Sequence, residues 1–268
     1  MKKLSIITIN LNNASGLRKT VESVVSQTYR NIEYIVIDGG STDDSLNIIK
    51  EYAGRITIWV SESDKGIFNA LNKGIQKATG EYCLFLNSGD WLTNHSVVEK
   101  MMAALPECSF FYGNMLKMLP NGYFYRDCCD KGEISMLTFY LGTINIETTF
   151  IKRTLFRTYG LFDENLNIVS DWKFFLIAIC LNSETVKYID LDVTCFDMTG
   201  ISNMKPELDK KERRKVLEAL IPANILFDYD AHSRNIEQAS RINRYKITRW
   251  VFWFLERILF KWEKFRLM

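Results

Sequence analysis

The chain has 268 residues, of which 47% are hydrophobic and 25% are charged, and its formal net charge is +2. This composition is that of a globular protein and excludes a disordered chain, and the length suffices for one large α/β domain with an extension or for two small domains. The small net charge gives no reason to expect a nucleic-acid partner, and no apolar run reaches the roughly 18 to 20 residues that span a bilayer.

The first ninety residues alternate between strand and helix patterns. The apolar strand segments are 4–10, 32–38, 56–60 and 81–87, and the helical segments are 14–27, a helix that Ser41 would cap, and 66–78. Strands that are apolar on both faces and separated by single helices predict a mostly parallel, Rossmann-like sheet with helices on both faces. Ligands of such sheets bind at the carboxyl ends of the strands.

The later segments are less regular. We predict a strand at 109–112, a hairpin around Pro120-Asn121-Gly122, a helix at 171–181 and one or two strands within 186–196. From residue 205 onward the pattern is charged and helical. The predicted organisation is therefore an α/β catalytic domain at 1–204, with halves at about 1–112 and 113–204, and a C-terminal helical extension at 205–268.

Polar side chains follow the second and third predicted strands. Asp38 at a strand end can accept a hydrogen bond from a nucleobase N–H, and Ser41 with the helix behind it offers donors to an anion. The alternative is a tight turn capped by Ser41. Asp64 and Lys65 open the next helix, and Asn72 in its middle is a poor helix former that we expect to bond a neighbouring loop; a solvated helix with an exposed Lys65 is the alternative there.

The fourth predicted strand ends in the turn Asn87-Ser88-Gly89-Asp90. Hard divalent cations bind oxygen ligands, and Mg²⁺ or Mn²⁺ often binds through one or two carboxylates together with substrate phosphates. Asp90 is therefore a candidate metal ligand, although a lone acid in a turn is also a common structural feature.

The order and spacing of these segments resemble the N-terminal half of family 2 glycosyltransferases, which have the GT-A fold. The resemblance covers about residues 4–92 well, continues weakly to about 200, and is to bacterial enzymes that build capsule, exopolysaccharide or lipopolysaccharide glycans. It implies a nucleotide-binding set, a cation and a catalytic base. The nucleotide-binding residues would be Thr8, Asn10, Asp38, Ser41, Asp64, Lys65 and Asn87.

The metal motif departs from the family pattern, because Asn87 and Gly89 stand where the family has carboxylates and only Asp90 remains. By resemblance Asp90 would bind Mn²⁺ or Mg²⁺, and Asp171, at the start of an amphipathic helix, would be the base. A structural helix-terminal carboxylate is the alternative for Asp171, and Asp163 and Glu164 are the next candidates for the base. Relatives carry His-Gln where this chain has Ile146-Glu147, so we borrow no acceptor contact at those positions.

The segment 241–268 combines an apolar stripe rich in Trp and Phe with many Lys and Arg residues. Such a pattern is typical of a helix at a membrane surface, and the alternatives are packing on the catalytic domain or on a second subunit in a homodimer. None of the six cysteines forms a Cys-x-x-Cys pair, and no cleavable leader is evident. We therefore expect a cytoplasmic protein, with peripheral contact to the inner face of the membrane.

The resemblance implies an inverting glycosyltransferase with a nucleotide-sugar donor, most simply UDP-linked, and a glycan or lipid-linked glycan acceptor used in cell-surface polysaccharide synthesis. Two other hypotheses remain. A sugar nucleotidyltransferase has a related fold but needs a Gly-rich basic loop after the first strand, where this chain has Leu11-Asn12-Asn13-Ala14-Ser15. A non-catalytic nucleotide-binding protein of the same fold would explain the reduced metal motif.

Overall fold

The computed structural model describes residues 1–104, 107–119, 122, 124–127, 134–197, 206–232, 251 and 253, and it divides into two compact units, Met1–Val216 and Leu217–Met268. The strands are β1 (Leu4–Asn10), β2 (Ile32–Asp38), β3 (Ile58–Ser61), β4 (Tyr82–Phe85), β5 (Trp91–Leu92), β6 (Phe110–Met118), β7 (Phe124–Asp127), β8 (Thr149–Lys152) and β9 (Val186–Asp197). The helices are α1 (Ala14–Val25), α2 (Ser45–Glu51), α3 (Ile67–Lys77), α4 (Val97–Ala103), α5 (Met136–Leu141), α6 (Leu155–Thr158), α7 (Ser170–Phe175) and α8 (Pro206–Leu220).

The first unit contains one sheet with the strand order β3-β2-β1-β4-β8-β6-β9-β5, and β7 pairs with β6. The four strands β3, β2, β1 and β4 run parallel, which confirms the predicted α/β arrangement. The other half is mixed: β8 is antiparallel to both β4 and β6, whereas β6 and β9 are parallel. The carboxyl ends of β1, β2, β3 and β4 therefore meet at one edge.

Helices cover both faces of the parallel half, as predicted. The inward residues of α1, α2 and α4 join one buried cluster with Ile6 and Val36. Ile7 and Ile37 point the other way, because successive side chains of a strand alternate in direction. A β-carbon added to Gly74 of α3 would lie 2.4 Å from Ile7 Cγ2, so α3 packs closely against this second face.

A cluster of aromatic rings connects α3 and β4 with α6 and α7. Its rings are those of Phe68, Phe85, Phe110, Phe156, Phe162, Phe174 and Phe175. Phe156 and Phe174 stack with their centroids 4.8 Å apart. Aromatic pairs of this kind add about 0.5–1.5 kcal/mol each beyond the burial of their area, so the cluster anchors α7 against the sheet.

Several predicted elements differ in extent from the structure. The strand at 109–112 continues as β6 to Met118, and the pair Met118↔Phe124 confirms the predicted hairpin; Pro120 and Asn121 lie outside the described residues. The predicted helix 171–181 is α7 followed by a π-helical segment, Leu176–Leu181. The spacing of apolar residues in the sequence does not distinguish an α-helix from a π-helical segment of this length.

The second unit contains the end of α8 and a further helix at 223–232. Ile225 and Phe227 of that helix are exposed. Among the helices that the structure describes, none is both long and apolar enough to cross a membrane. The predicted apolar stripe at 241–268 lies outside the described residues except for Val251 and Trp253, which are exposed.

Candidate active site

The carboxylate of Asp38, at the end of β2, is fully buried and surrounded by donors. Asn10 Nδ2 donates to its Oδ1 over 2.8 Å, and Ser61 Oγ donates to its Oδ2 over 2.7 Å. Ser41 donates to it twice, from the backbone N over 3.0 Å and from the hydroxyl over 2.5 Å. Burial opposes ionisation, but these donations outweigh it and lower the pKa of Asp38. The carboxylate therefore holds the ends of three parallel strands together.

Asn10 Oδ1 is a buried oxygen with no hydrogen-bond partner among the described residues. A buried acceptor left in this way costs about 1–3 kcal/mol, so a ligand that donates to it would gain free energy. Thr8, two residues earlier on the same face of β1, is fully buried, and its Oγ1 accepts a hydrogen bond of 3.2 Å from the Tyr34 hydroxyl. Thr8 thus lies beneath Asn10, and its burial does not support a direct contact with a ligand.

The loops after β1 and β2 are bonded to each other. The Asn12 backbone N donates to Ser41 Oγ over 2.8 Å, and Asp43 Oδ2 accepts from the Ala14 backbone N over 2.9 Å. The expectation that Ser41 caps a helix is wrong, because α2 begins at Ser45. The Ser41 hydroxyl is instead used by Asp38 and the first loop, which makes it part of the strand-end network.

Asp64 and Lys65 follow β3, and they differ in their surroundings. Lys73 Nζ donates to Asp64 Oδ1 over 2.6 Å, and a β-carbon at Gly39 would lie 3.0 Å from Asp64 Oδ2. Glycine at position 39 therefore lets Asp64 approach the Asp38 loop closely. Lys65 is exposed, and its backbone N donates to Asn69 Oδ1 over 3.2 Å, so its side chain lies at the outer end of this edge.

The turn Asn87–Asp90 packs onto α1 through the buried Thr20. The Gly89 backbone N donates to Thr20 Oγ1 over 3.0 Å, and Thr20 Oγ1 lies 2.6 Å from the Asp90 carbonyl oxygen. Gly89 has a φ of 109°, a backbone conformation that a side chain at this position would disfavour. The glycine that replaces a family carboxylate therefore fits a turn whose backbone is fixed on α1.

The oxygens of this turn indicate whether a divalent cation could bind there. Asn87 Oδ1 is buried and has no hydrogen-bond partner in the described parts of the chain, so it could accept from a ligand or bind a cation. Asp90 is 4% exposed, and its charge raises the pKa of the neighbouring Cys195 thiol, although burial of that thiol is the larger cause. No group of three His, Cys, Asp or Glu side chains in the described residues forms a complete metal site. The turn fits a cation that takes most of its ligands from a diphosphate and water.

Asp171 is the second residue of α7 and is partly buried. Burial raises the pKa of its carboxyl to about 6, and the positive charge of Arg213 opposes the rise. An acid with a pKa near 6 is ionised at neutral pH yet remains basic enough to accept a proton, which suits a general base.

Glu147 is a candidate that the sequence reasoning missed. Burial, together with the charge of Asp171, raises the pKa of its carboxyl to about 7, and Lys117 opposes the rise. Asn87 Nδ2 donates to Glu147 Oε1 over 3.3 Å. Glu147 is therefore bonded to the turn after β4, and its ionisation is sensitive to the charge of Asp171. The signal in the sequence was an acid two residues before the buried strand β8, at a position that departs from the family pattern.

The two alternative bases have different environments. A hydrogen bond from Lys173, 2.7 Å long, lowers the pKa of Asp163 and neutralises its charge. Hydrogen bonds from Asn72 and Asn69 lower the pKa of Glu164, which is exposed. Both groups are weaker bases than Asp171, and both help to hold the loop before α7.

Comparison of the sequence with known proteins identifies one family. Residues 5–150 match the family described as Glycosyl transferase family 2. An uncharacterized glycosyltransferase of Mycobacterium tuberculosis is 32% identical over 209 residues, which are 75% of this chain and 77% of the relative. A PGL/p-HBAD biosynthesis glycosyltransferase of Mycobacterium bovis is 27% identical over 206 residues, 74% of this chain and 78% of the relative.

Solved structures share the fold at lower identity. The S. aureus TarS structure has a TM-score of 0.66 at 20% identity, and the match covers 82% of this chain but only 40% of TarS. TarS 1-349 in complex with UDP-GlcNAc gives 0.64 at 20% identity, covering 76% of this chain and 61% of that one. The mannosyltransferase PcManGT from Pyrobaculum calidifontis, in complex with GDP-Man and Mn²⁺, gives 0.59 at 14% identity, covering 92% and 82%.

The match to the family extends over more than half of the chain, and the α/β sheet is that of the GT-A-like solved structures. These findings confirm the GT-A-like fold and the enzyme class expected from the sequence. The chain belongs to glycosyl transferase family 2 and is a glycosyltransferase.

Proposed function

We propose that the enzyme transfers a sugar from a UDP-linked donor to a hydroxyl of a glycan or lipid-linked glycan, with inversion at the anomeric carbon. Asp171 takes the proton of the acceptor hydroxyl, and the resulting oxygen attacks the anomeric carbon on the face opposite the nucleotide. The bond between that carbon and the diphosphate oxygen breaks, and UDP leaves with its electron pair. One displacement therefore inverts the centre.

The strand-end network supports the nucleotide part of this proposal. Asn10 Oδ1 and Asn87 Oδ1 are buried acceptors at the ends of the neighbouring strands β1 and β4, and nothing in the described residues donates to them. A nucleobase N–H or a ribose hydroxyl is a suitable donor for such an oxygen. Asp38 and Ser41 would fix Asn10, while Asp64 and Lys65 would face the nucleotide from the end of β3. Thr8 would act only by supporting this layer.

A divalent cation, Mn²⁺ or Mg²⁺, would bind at Asp90 and would neutralise the charge that develops on the departing diphosphate. Asp90 is the acid of the turn that follows β4, and the backbone of this turn is fixed by Thr20. Titrating UDP with and without Mn²⁺ tests this part. If Asp90→Ala still binds UDP more tightly when Mn²⁺ is added, the cation binds elsewhere.

The observation that carries the proposal is the connection from Asn87 through Glu147 to Asp171. Asn87 donates a hydrogen bond to Glu147, and the charge of Asp171 raises the pKa of Glu147. This coupling supports a site in which the candidate base acts near the turn from which the leaving group would depart. We infer that the acceptor hydroxyl binds between Asp171 and the turn after β4. The rest of the acceptor would extend away from Asp171 and this turn. A lipid-linked acceptor would then be reached by an enzyme bound at the inner face of the membrane.

Asp171→Asn tests the proposal, because the amide keeps the shape of the side chain and cannot take a proton. The readout is release of UDP with water as the acceptor, using whichever of UDP-GlcNAc, UDP-glucose and UDP-galactose the parent hydrolyses fastest in Mn²⁺. We expect the rate to fall about 10²- to 10⁴-fold, the range for lost acid–base catalysis, with donor affinity within about twofold of the parent. Near-parental UDP release would rule out Asp171 as the base.

The product separates this function from the two others. A glycosyltransferase releases free UDP, whereas a sugar nucleotidyltransferase releases or consumes pyrophosphate. A non-catalytic binding protein would bind UDP without releasing it from any donor. Family membership favours the first outcome.

A further inference from the structure

The loop that leads into α7 is held from a distance by one carboxylate of α8. Glu212 is 6% exposed, and its Oε1 accepts from the Asn167 backbone N over 2.8 Å and from the Asn167 side-chain amide over 2.9 Å. Its Oε2 accepts from the Ile168 N over 3.0 Å and from the Val169 N over 3.4 Å. Burial opposes ionisation of Glu212, but these donations outweigh it and lower its pKa.

These contacts reach the first turn of α7. Val169 is the N-cap residue of α7, and it provides no side-chain cap hydrogen bond. A helix start normally needs such an acceptor. The Glu212 carboxylate instead accepts the N–H groups directly before the helix and so fixes the backbone from which α7 starts. Asp171 is two residues beyond Val169, and the Lys173 N bonds the Val169 carbonyl oxygen over 2.9 Å.

The next residue of α8, Arg213, contacts the residue that follows Asp171. The guanidinium of Arg213 lies 4.9 Å from the centroid of the Trp172 ring and donates to the Gly142 carbonyl oxygen over 2.7 Å. Trp172 is itself buried, and its Nε1 donates to the Phe139 carbonyl oxygen over 2.9 Å. The backbone before Asp171 and the side chain after it are thus both fixed by neighbouring residues of α8.

We infer that Glu212 is a positioning residue for transfer: by binding the backbone at 167–169 it fixes the first turn of α7 and thereby aims the Asp171 carboxyl at the acceptor hydroxyl. This inference rests on the proposed role of Asp171 as the base. Glu212 touches no substrate in this arrangement, so its loss should lower the rate of the chemical step and leave donor binding intact. A misplacement of about 1 Å can cost 10²-fold in rate.

The test uses Glu212→Gln in the full chain. The variant keeps the size of the side chain but offers one acceptor oxygen, and its amide N–H groups face the donors of the loop. We expect UDP release from the UDP-sugar, with water as acceptor, to slow about 10- to 100-fold, and the donor KM to stay within about twofold. Glu207→Gln is the matched control, because Glu207 is on the same helix, is exposed and forms an ion pair with Lys210 one turn along the helix.

A double variant separates positioning from general damage to the fold. If Glu212 acts through Asp171, Glu212→Gln should slow the parent but add almost nothing to Asp171→Asn, because residues that act as a unit are not additive. An equal fold-loss in both backgrounds, or a parental rate for Glu212→Gln, would overturn the inference. Rates are taken per molecule that binds UDP, which removes any unfolded fraction.

A failure of the positioning role can be distinguished from a failure of the proposed base and from a failure to fold. Should Glu212→Gln fail to fold, Asn167→Ala removes one of the four donations and carries the same comparison, with a smaller loss expected. If Asp171→Asn alone keeps the parental rate, the proposed base is wrong. A disabled Asp171→Asn together with a normal Glu212→Gln refutes only the positioning role.

Discussion

The acids of this site differ in how far hydrogen-bond donors offset their burial. Asp38 is fully buried yet ionises readily, because Asn10, Ser41 and Ser61 all donate to it. Asp171 is less buried, but its two strongest supports are a backbone N–H and the charge of Arg213, so desolvation dominates and its pKa rises to about 6. The first environment suits a fixed structural anion, and the second suits a group that gains and loses a proton.

The raised pKa of Asp171 predicts a pH dependence of the rate. A general base works only when it is deprotonated, so the fraction in the active form is close to one well above pH 6 and falls about tenfold per pH unit well below it. We therefore expect the rate of UDP release by the parent, at saturating donor, to fall below pH 6. The residual rate of Asp171→Asn should not fall in this range, because the variant has no base that titrates near pH 6. A residual rate that retains the same acidic limb would assign the titration to another group.

Asp38→Ala should impair both stability and nucleotide binding. The change leaves three donor side chains in a buried site without their acceptor, and each unsatisfied group costs about 1–3 kcal/mol. Ser61→Ala is the matched control, because it removes one donation and keeps the carboxylate. Calorimetric titration with UDP, corrected for the folded fraction, should show a larger loss of affinity for Asp38→Ala. Equal affinities in the two variants would refute a role of the network in binding.

At the scale of elements, the sequence predicted the parallel half of the sheet well and the rest less well. The strands β1, β2 and β4 are apolar runs that end in polar residues, so their positions follow from local pattern. The full length of β6 does not, because Met115–Met118 is stabilised by pairing with β7 and β9 rather than by its own composition. Glu147 escaped notice for the same reason: its neighbours Asn87 and Asp171 are distant in sequence.

Asn72, a poor helix former in the middle of α3, is a residue whose position in the sequence did predict a long-range contact. Its side chain is buried in α3, donates to the Phe162 carbonyl oxygen over 2.9 Å and accepts from the Phe162 N over 3.0 Å. This confirms the expected bond to a neighbouring loop. Asn72 and Glu212 thus hold the two ends of the segment that precedes α7.

Asn72→Ala should therefore destabilise the protein by about 2–4 kcal/mol, because it leaves a buried N–H and a buried carbonyl unpaired. Asn69→Ala is the control, since Asn69 bonds the exposed Glu164 from a less buried position. Chemical denaturation of both variants measures the difference. A loss for Asn72→Ala no greater than that for Asn69→Ala would contradict the structural role.

At the scale of the whole molecule, the proposed donor site and the proposed base both belong to the N-terminal unit. The family match ends at residue 150, yet Asp171, Glu212 and Arg213 lie beyond it and within Met1–Val216. The residues that would activate the acceptor thus come from the part of the chain outside the family match. This division is consistent with a shared donor site and an acceptor site particular to each enzyme.

The segment 241–268 predicts that the enzyme binds to anionic membrane surfaces. Its Lys and Arg residues outnumber Glu256 and Glu263, and they alternate with Trp250, Phe254 and Trp262. Each basic residue near an anionic bilayer contributes about 1 kcal/mol of attraction, and the apolar side chains add their burial in the interface. We expect the full chain to float with vesicles that contain anionic phosphatidylglycerol and the chain lacking 241–268 to remain behind.

Salt and vesicle charge identify the cause of that binding. Raising the ionic strength from about 0.01 M to 1 M shortens the Debye length from about 30 Å to 3 Å, so electrostatic attachment should weaken strongly. A variant with Lys246, Arg249 and Arg257 changed to Gln should lose binding to anionic vesicles, whereas changing Glu207 and Glu218 to Gln should not weaken it. Flotation is the readout, and analytical ultracentrifugation of the same preparations reports the subunit number. A full chain that ignores anionic vesicles at low salt but forms a dimer, with the deletion variant monomeric, would assign the segment to a subunit interface instead of a membrane.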